Sequence, residues 1–516
     1  MSRAATLGEL KESGYRSRTV KEEIRENLLE VLRSGRPLFP GIIGYEKTVV
    51  PQIVNALLSR HDFILLGLRG QAKSRILRQL PALLDEFMPV VRGGDLNDDP
   101  FRPVSVRAQR TVQEAGDETP IEWIGRDARY GEKLATPDVT MADLLGDIDP
   151  IKAAAEKRTY ADPEIIHFGI VPRTNRGIFA INELPDLQPR IQVGLLNLMQ
   201  EKDIQIRGFP VRLPLDLLMV YSANPEDYTN RGNIITPLKD RIGSQIITHY
   251  PKTVDEAVSI TSQEAWTERA DTGVELVVPE LARHIIEAAA AHARDSEFVD
   301  QNSGVSVRLT ITFLENLLSN MERRALTTGD PKVYPRLVDL RTALTAVTGK
   351  VELVYEGEQE GAETVARHIL GKAVREVFLQ SFPEVHPKGR RRAFLEEHDE
   401  PGGPDAAPRP GSAGAPRSAP AAYAAITQWF GGGNQLDLSD ETAFDDHLAA
   451  LRSVPGLEEC VRTHMEVRTA GELALVMELV LDGLHQCSLL AKEDGDTGVG
   501  YRDMIGAMFR QIEGIE

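Results

Sequence analysis

Apolar and polar positions along the chain fall into distinct regimes. In residues 17–34, Val20, Ile24, Leu28 and Leu32 recur at helical spacing, and Thr19 with Glu22 has the spacing of a capping box. This predicts an amphipathic helix. From 39 to 251, short unbroken apolar runs alternate with helical periods. The runs are Phe63-Ile64-Leu65-Leu66, Gly177-Ile178-Phe179-Ala180-Ile181 and Leu217-Leu218-Met219-Val220-Tyr221. A strand covered by helices on both faces has no polar side, so such runs predict buried strands of a parallel sheet. From 252 to 382 the pattern turns helical, with 279–293 and 309–326 as amphipathic candidates and no strong strand. Residues 401–420 are almost wholly Pro, Gly, Ala and Ser. Such a segment cannot bury enough apolar surface to offset its chain entropy, which predicts a disordered linker over 383–421. The basic run Lys388-Gly389-Arg390-Arg391-Arg392 at its start reads as a solvated tail. After 421 helical runs return at 470–492 and 501–514, and no internal repeat is visible. The expected organisation is an N-terminal helix (1–38), an α/β domain (39–251), a helical lid (252–382), the linker (383–421) and a C-terminal helical domain (422–516).

Composition narrows the function classes. The 516 residues carry 59 Lys+Arg against 78 Asp+Glu, a net charge of −19. So acidic a surface is not expected to grip nucleic acid. Cys460 and Cys487 are the only cysteines, so neither a disulfide framework nor a Cys-based zinc site is expected, and a reducing cytoplasm is the expected location. No apolar segment follows Met1–Thr6 and no run of 18 apolar residues occurs, so neither a secretory signal nor a membrane-spanning helix is expected. The eleven histidines do not fall at metal-ligand spacing, and there is no Gly-x-Ser-x-Gly elbow.

The chemistry concentrates in Gly67-Leu68-Arg69-Gly70-Gln71-Ala72-Lys73-Ser74, which follows an apolar run and opens a helical one. A P-loop needs this strand–loop–helix setting, where backbone N–H groups face phosphate oxygens. Lys73 would reach the β- and γ-phosphates and the Ser74 hydroxyl would meet Mg²⁺. Ala72 stands where such loops usually carry Gly, and its methyl disfavours positive φ. The same residues also read as a strand–helix turn with a stray lysine. Ile178-Phe179-Ala180-Ile181-Asn182-Glu183 puts a polar–acidic pair at the end of the second run, at the sheet edge where open α/β folds bind nucleotides. Glu183 suits a base for an attacking water. Asn182 stands where an aspartate is expected near Mg²⁺, keeping an oxygen but losing the charge. It reads equally as a helix N-cap. Asn224 ends the third run before Pro225. Arg241 closes Pro237-Leu238-Lys239-Asp240-Arg241, and Arg308 follows Ser303-Gly304-Val305-Ser306-Val307.

In their order and spacing these segments resemble an AAA+ ATPase, above all the magnesium chelatase ATPase subunit and the MoxR-type ATPases, over about residues 39–380. The resemblance implies an AAA+ P-loop fold, a parallel sheet flanked by helices with inserts, followed by a helical lid. It makes Gly67, Gly70, Gln71, Ala72, Lys73 and Ser74 the Walker A loop. Gly41-Ile42-Ile43-Gly44-Tyr45 matches the box near the adenine, so Ile43 and Gly44 are implied nucleotide contacts. Asn182 and Glu183 match Walker B, with Ser74 and Asn182 toward the metal. Asn224 matches sensor 1, Arg241 the arginine finger and Arg308 sensor 2. Leu144–Asp149 with Pro172–Gly177 resembles the chelatase insert, and residues 204–213 read as the hairpin before sensor 1.

The resemblance further implies ATP and Mg²⁺ as cofactors, a hexamer-type homo-oligomeric ring and a partner carrying a von Willebrand A domain. The leading expectation is an ATP-hydrolysing motor that remodels a protein partner. The magnesium chelatase ATPase subunit proper is the first alternative. A nucleotide-gated scaffold with little turnover, motivated by Ala72 and Asn182, is the second. An enhancer-binding transcription activator is disfavoured, because its Gly-Ala-Phe-Thr-Gly-Ala loop is missing and no helix-turn-helix is recognisable after 421.

Overall fold

In a computed structural model the chain divides into two units, Met1–Pro251 and Lys252–Glu516. The structure describes all residues except 1–2, 150, 152, 154–162, 202, 207–208, 225–232, 270–272, 384, 386–420, 440, 496–497 and 505–516. The basic run at 388–392 and nearly all of the expected linker therefore lie outside the described residues, as does most of the helix expected at 501–514.

The first unit is built on five parallel strands: β1 (Phe63–Leu66), β2 (Tyr130–Leu134), β3 (Gly177–Asn182), β4 (Leu217–Ala223) and β5 (Ser244–Ile247). Their order is β5-β1-β4-β3-β2. The three apolar runs of the sequence form the three central strands. Alternate side chains enter two cores. Phe63, Leu65, Ile178, Ala180, Leu218 and Val220 face one core, and Ile64, Leu66, Phe179, Ile181, Met219 and Tyr221 face the other. The expected α/β architecture is thus present, with helices supplying cover on both sides.

Helix α1 (Val20–Ser34) covers the first of these cores through Val20, Ile24 and Leu28. It starts at the expected capping box, where the Thr19 hydroxyl accepts from the Glu22 N–H and the Glu22 carboxylate accepts from Thr19 N–H. A buried ion pair also fixes it. Arg129 donates to both carboxylate oxygens of Glu23 at 2.7 and 2.6 Å, and its Nε donates to Arg176 O at 2.9 Å. Helix α2 (Lys73–Gln79) follows β1. Helices α3 (Pro189–Glu201) and α4 (Thr236–Arg241) follow β3 and β4. Asp203–Ile206 and Phe209–Arg212 pair antiparallel, forming the hairpin expected before β4. In the insert, Gly146–Ile148 pairs with Ile166–Phe168.

The second unit contains α5 (Glu280–Arg294), α6 (Arg308–Thr328), α7 (Ala362–Ser381) and α8 (Ala470–Gln486). The helices expected at 279–293 and 309–326 are α5 and α6. One continuous core runs from Ala265 to Tyr501 and includes Phe313, Phe378, Tyr423 and Leu479. Residues on either side of the expected linker therefore share a single apolar interior. The C-terminal region also differs from a purely helical expectation. Leu436–Ser439, Gly498–Arg502 and Ala491–Gly495 form an antiparallel sheet, so residues 491–492 and 501–502 are strand. The buried ring of Tyr501 anchors the central strand, while the exposed residues of Ala491–Gly495 give that strand little apolar signal. A two-residue pairing of Glu275–Leu276 with Lys332–Val333 is a further small departure.

Cys460 and Cys487 are buried and unpaired with each other. Among the described residues no helix is long and apolar enough to cross a membrane.

Candidate functional site

The parallel sheet brings the ends of β1, β3 and β4 to one edge, and Lys73, Ser74, Asn182, Glu183 and Asn224 converge there. The loop 67–72 leaves β1 and opens α2. Gly67 is required by close approach, since a Cβ there would collide with Thr248 Oγ1 and Gln71 Oε1. Gly70 has φ +75°, where a side chain is strained. Ala72 also has positive φ, +56°, so this alanine sits in a conformation that favours glycine. Several contacts outside the loop hold it. Thr248 Oγ1 donates to Gln71 Oε1 at 2.6 Å, and Tyr250 Oη donates to Arg69 O at 3.1 Å. The Tyr45 hydroxyl lies 3.1 Å from Gln71 O and 2.7 Å from His249 O, sharing its proton between them. Burial pushes this phenol up to about 12, so it remains a donor at neutral pH. These contacts set the segment carrying Ile43 and Gly44 against the loop. Gly44 N–H donates to Glu46 Oε1 at 3.3 Å.

Lys73 is buried. Its ammonium donates to Gly67 O, to Leu68 O at 2.9 Å and to Asn224 Oδ1 at 2.7 Å. The other end of the Asn224 amide donates to Glu183 Oε2 at 3.0 Å. Lys73, Asn224 and Glu183 thus form one chain of polar contacts. Glu183 has φ +54° and ψ +48°, a strained left-handed conformation for a residue with a side chain. It redirects the chain at the end of β3 into the turn Leu184–Asp186.

A second group lies beside the first. Ser74 Oγ donates to Asn182 Oδ1 at 3.2 Å, and Ser222 Oγ donates to the same oxygen at 2.9 Å. Asn182 Nδ2 donates to Glu132 Oε1 at 2.6 Å. Glu132, on strand β2, also accepts from Arg78 Nε at 2.8 Å and Nη2 at 3.0 Å. This carboxylate holds the Arg78 guanidinium above its usual value.

One singled-out arginine of the first unit, Arg241, does not join this cluster in the described contacts. Arg241, at the end of α4, donates to Gln200 Oε1 at 2.9 Å and Pro237 O at 3.0 Å, and lies 3.6 Å from Asp240 Oδ2. It is exposed. Arg308 belongs to the second unit, where it is the first residue of α6. It too is exposed, and its N–H donates to Ser306 Oγ at 3.1 Å.

Glu132, Ser222, Thr248 and Arg78 were not marked by the sequence. Strand β2 lies at the sheet edge and reads Tyr130-Gly131-Glu132-Lys133-Leu134, so it carried no continuous apolar run. A carboxylate in an edge strand beside β3 was the available signal.

The donor set fits ATP with Mg²⁺. A buried lysine reaches the loop carbonyls, and a hydroxyl and an amide oxygen, both hard oxygen donors, stand together at the start of α2. Among the described residues, no group of three or more His, Cys, Asp or Glu is placed to hold a metal ion. The fit therefore rests on hydroxyl and amide oxygens, with the carboxylates of Glu132 and Glu183 on the neighbouring amides.

No protein-family model and no curated protein matches the chain. Solved structures do. The BchI–BchD complex of magnesium chelatase is 19% identical, covering 63% of this chain and 99% of its own, with a TM-score of 0.33. A protein from Cytophaga hutchinsonii described as an ATPase is 17% identical, with 70% and 98% covered and a TM-score of 0.29. Hsp104 solved with ATPγS and FITC-casein is 12% identical, with 58% and 48% covered and a TM-score of 0.35. The parallel sheet, its flanking helices and the helical region that follows agree with the α/β and helical architecture expected from the sequence.

Proposed function

We propose that the first unit binds ATP with Mg²⁺ at the loop 67–74 and hydrolyses it, and that the chain works as an AAA+ motor of the magnesium chelatase/MoxR type. The observation that carries this reading is the polar chain Lys73–Asn224–Glu183 at the carboxyl edge of the sheet.

In this reading Lys73 exchanges its loop carbonyls for β- and γ-phosphate oxygens. Ser74 and Asn182 would hold the metal and its waters, and Mg²⁺ would supply charge that neutralises the phosphate oxygens. Asn224, held by Glu183, orients a water in line with the γ-phosphorus. As the water oxygen bonds to that phosphorus and the bond to the β–γ bridging oxygen breaks, Glu183 takes the water's proton. Calorimetry with ATP tests the binding step. Lys73→Ala is expected to weaken affinity severely, and unchanged affinity would displace the site.

Arg241 fits a role in a neighbouring subunit's site within a homo-oligomeric ring, a reading supported by its exposure. Mixing Lys73→Ala with Arg241→Ala subunits is then expected to recover ATPase activity that neither has alone. No recovery in co-assembled mixtures would contradict a shared site. Arg308 is assigned the role of coupling the lid to nucleotide state, and a von Willebrand A domain protein is the partner class the resemblance implies. Slow turnover, the scaffold reading, has a specific observation in its favour: Ala72 at φ +56° in the phosphate loop.

A further inference from the structure

An amide in place of an aspartate at 182 removes a negative charge beside the metal position. The structure places another carboxylate directly behind that amide. Glu132 comes from the adjacent strand, where Leu134 pairs with Asn182 and Glu132 with Ala180. Its Oε1 lies 2.6 Å from Asn182 Nδ2. An ionised carboxylate only accepts, so the amide nitrogen must face Glu132 and the amide oxygen must face the hydroxyls of Ser74 and Ser222. The Glu132 side chain is 22% exposed, while its counter-ion Arg78 is 63% exposed and solvated.

We propose that Glu132 is a positioning residue that supplies, one strand away, the negative charge missing at Asn182 and locks the Asn182 oxygen toward Ser74. The proposal rests on the ATP·Mg²⁺ reading of the site. It has a consequence opposite to simple motif repair. Asn182→Asp alone sets two carboxylates against each other, where like charges disfavour joint ionisation. Moving the charge, with Glu132→Gln and Asn182→Asp together, restores an acid beside the metal and leaves an amide donor facing it.

The test is a titration of the full-length protein with Mn²⁺, followed by its electron paramagnetic resonance signal, in saturating non-hydrolysable ATP analogue. Analogue binding in EDTA and thermal unfolding are recorded for every variant. Glu132→Gln is expected to weaken Mn²⁺ binding by about 10–100-fold, the usual effect of losing a group that orients a metal ligand. Asn182→Asp alone should bind no tighter than wild type, and the double variant should return to within a few-fold of it. Arg78→Ala keeps the carboxylate and removes only its counter-ion, so it should bind Mn²⁺ at least as well as wild type. Unchanged affinity in Glu132→Gln overturns the proposal. So does a double variant no better than Glu132→Gln, or a loss in Arg78→Ala equal to that in Glu132→Gln. Analogue binding in EDTA separates the two levels. Wild type that takes up no analogue either in EDTA or with Mn²⁺ removes the nucleotide reading and the proposal with it. Analogue uptake with Mn²⁺ affinity indifferent to residue 132 removes the proposal alone.

Discussion

Ala72 and Glu183 both hold positive φ, +56° and +54°, and both stand at the sheet edge where the polar cluster of the first unit gathers. For an L-residue the left-handed conformation costs roughly 1–2 kcal/mol. At Glu183 the strain accompanies a side chain the proposed chemistry uses. At Ala72 no side-chain chemistry offsets it. Ala72→Gly is therefore expected to raise stability by about 0.5–1 kcal/mol, the relief of strain less the greater chain entropy of glycine. The denaturant midpoint measures this, and a loss of stability would mean that the methyl makes packing contacts worth more than the strain. The residues Lys73, Ser74, Glu183 and Asn224 were legible in the sequence because each ends or follows an apolar run. Glu132 was not, since its edge strand, Tyr130–Leu134, contains no continuous apolar run. The clamp formed by Tyr45, Thr248 and Tyr250 was hidden for another reason: it joins residues about 200 positions apart.

Among elements, α1 depends on a feature no local pattern reveals. Its capping box and apolar stripe follow from residues 19–32 alone, but its attachment includes the buried pair of Glu23 with Arg129, 106 residues away. Removing one partner of such a pair leaves a charge in the interior without compensation. Glu23→Ala is expected to cost about 3–5 kcal/mol. Replacing both partners with apolar residues of similar volume should cost far less. Chemical denaturation of the two variants decides between them, and a loss below about 1 kcal/mol in Glu23→Ala would show that water reaches Arg129. The strands divide on the same principle. β1, β3 and β4 are covered on both faces and read directly as apolar runs. β5 and the sheet of the second unit are short, partly exposed and mixed in polarity, so no continuous apolar run marks them.

On the scale of the whole molecule, the second unit joins residues from both sides of the expected linker. Glu478 on α8 accepts from Leu337 N–H at 2.6 Å and meets His447 Nε2 at 2.6 Å. Arg336 donates to Ser439 O at 3.0 Å and Thr442 O at 2.7 Å. With Phe378 and Tyr423 in one core, chain continuity through 386–420 is not needed to hold these parts together. A specific protease site inserted at 410 and cleaved is expected to leave fragments that co-elute on size exclusion at pH 7. Fragments eluting separately would contradict a shared interior. Burial works to raise the Glu478 carboxyl, but His447, the Leu337 N–H and Arg336 outweigh it and hold it below its ordinary value of 4.5. A depressed folded value means that Glu478 contributes stability above about 4.5 and loses it as pH falls through the lower folded value. The cleaved pair should therefore come apart in that acid range before it does near neutrality.

The central claim is that Glu183 activates water for ATP hydrolysis at the Lys73 loop. Steady-state phosphate release by wild type and Glu183→Gln, with bound nucleotide assayed in the same samples, tests it most directly. Wild type is expected to release phosphate in the presence of Mg²⁺, and Glu183→Gln to retain ATP with release abolished. Equal release by the two proteins would contradict it.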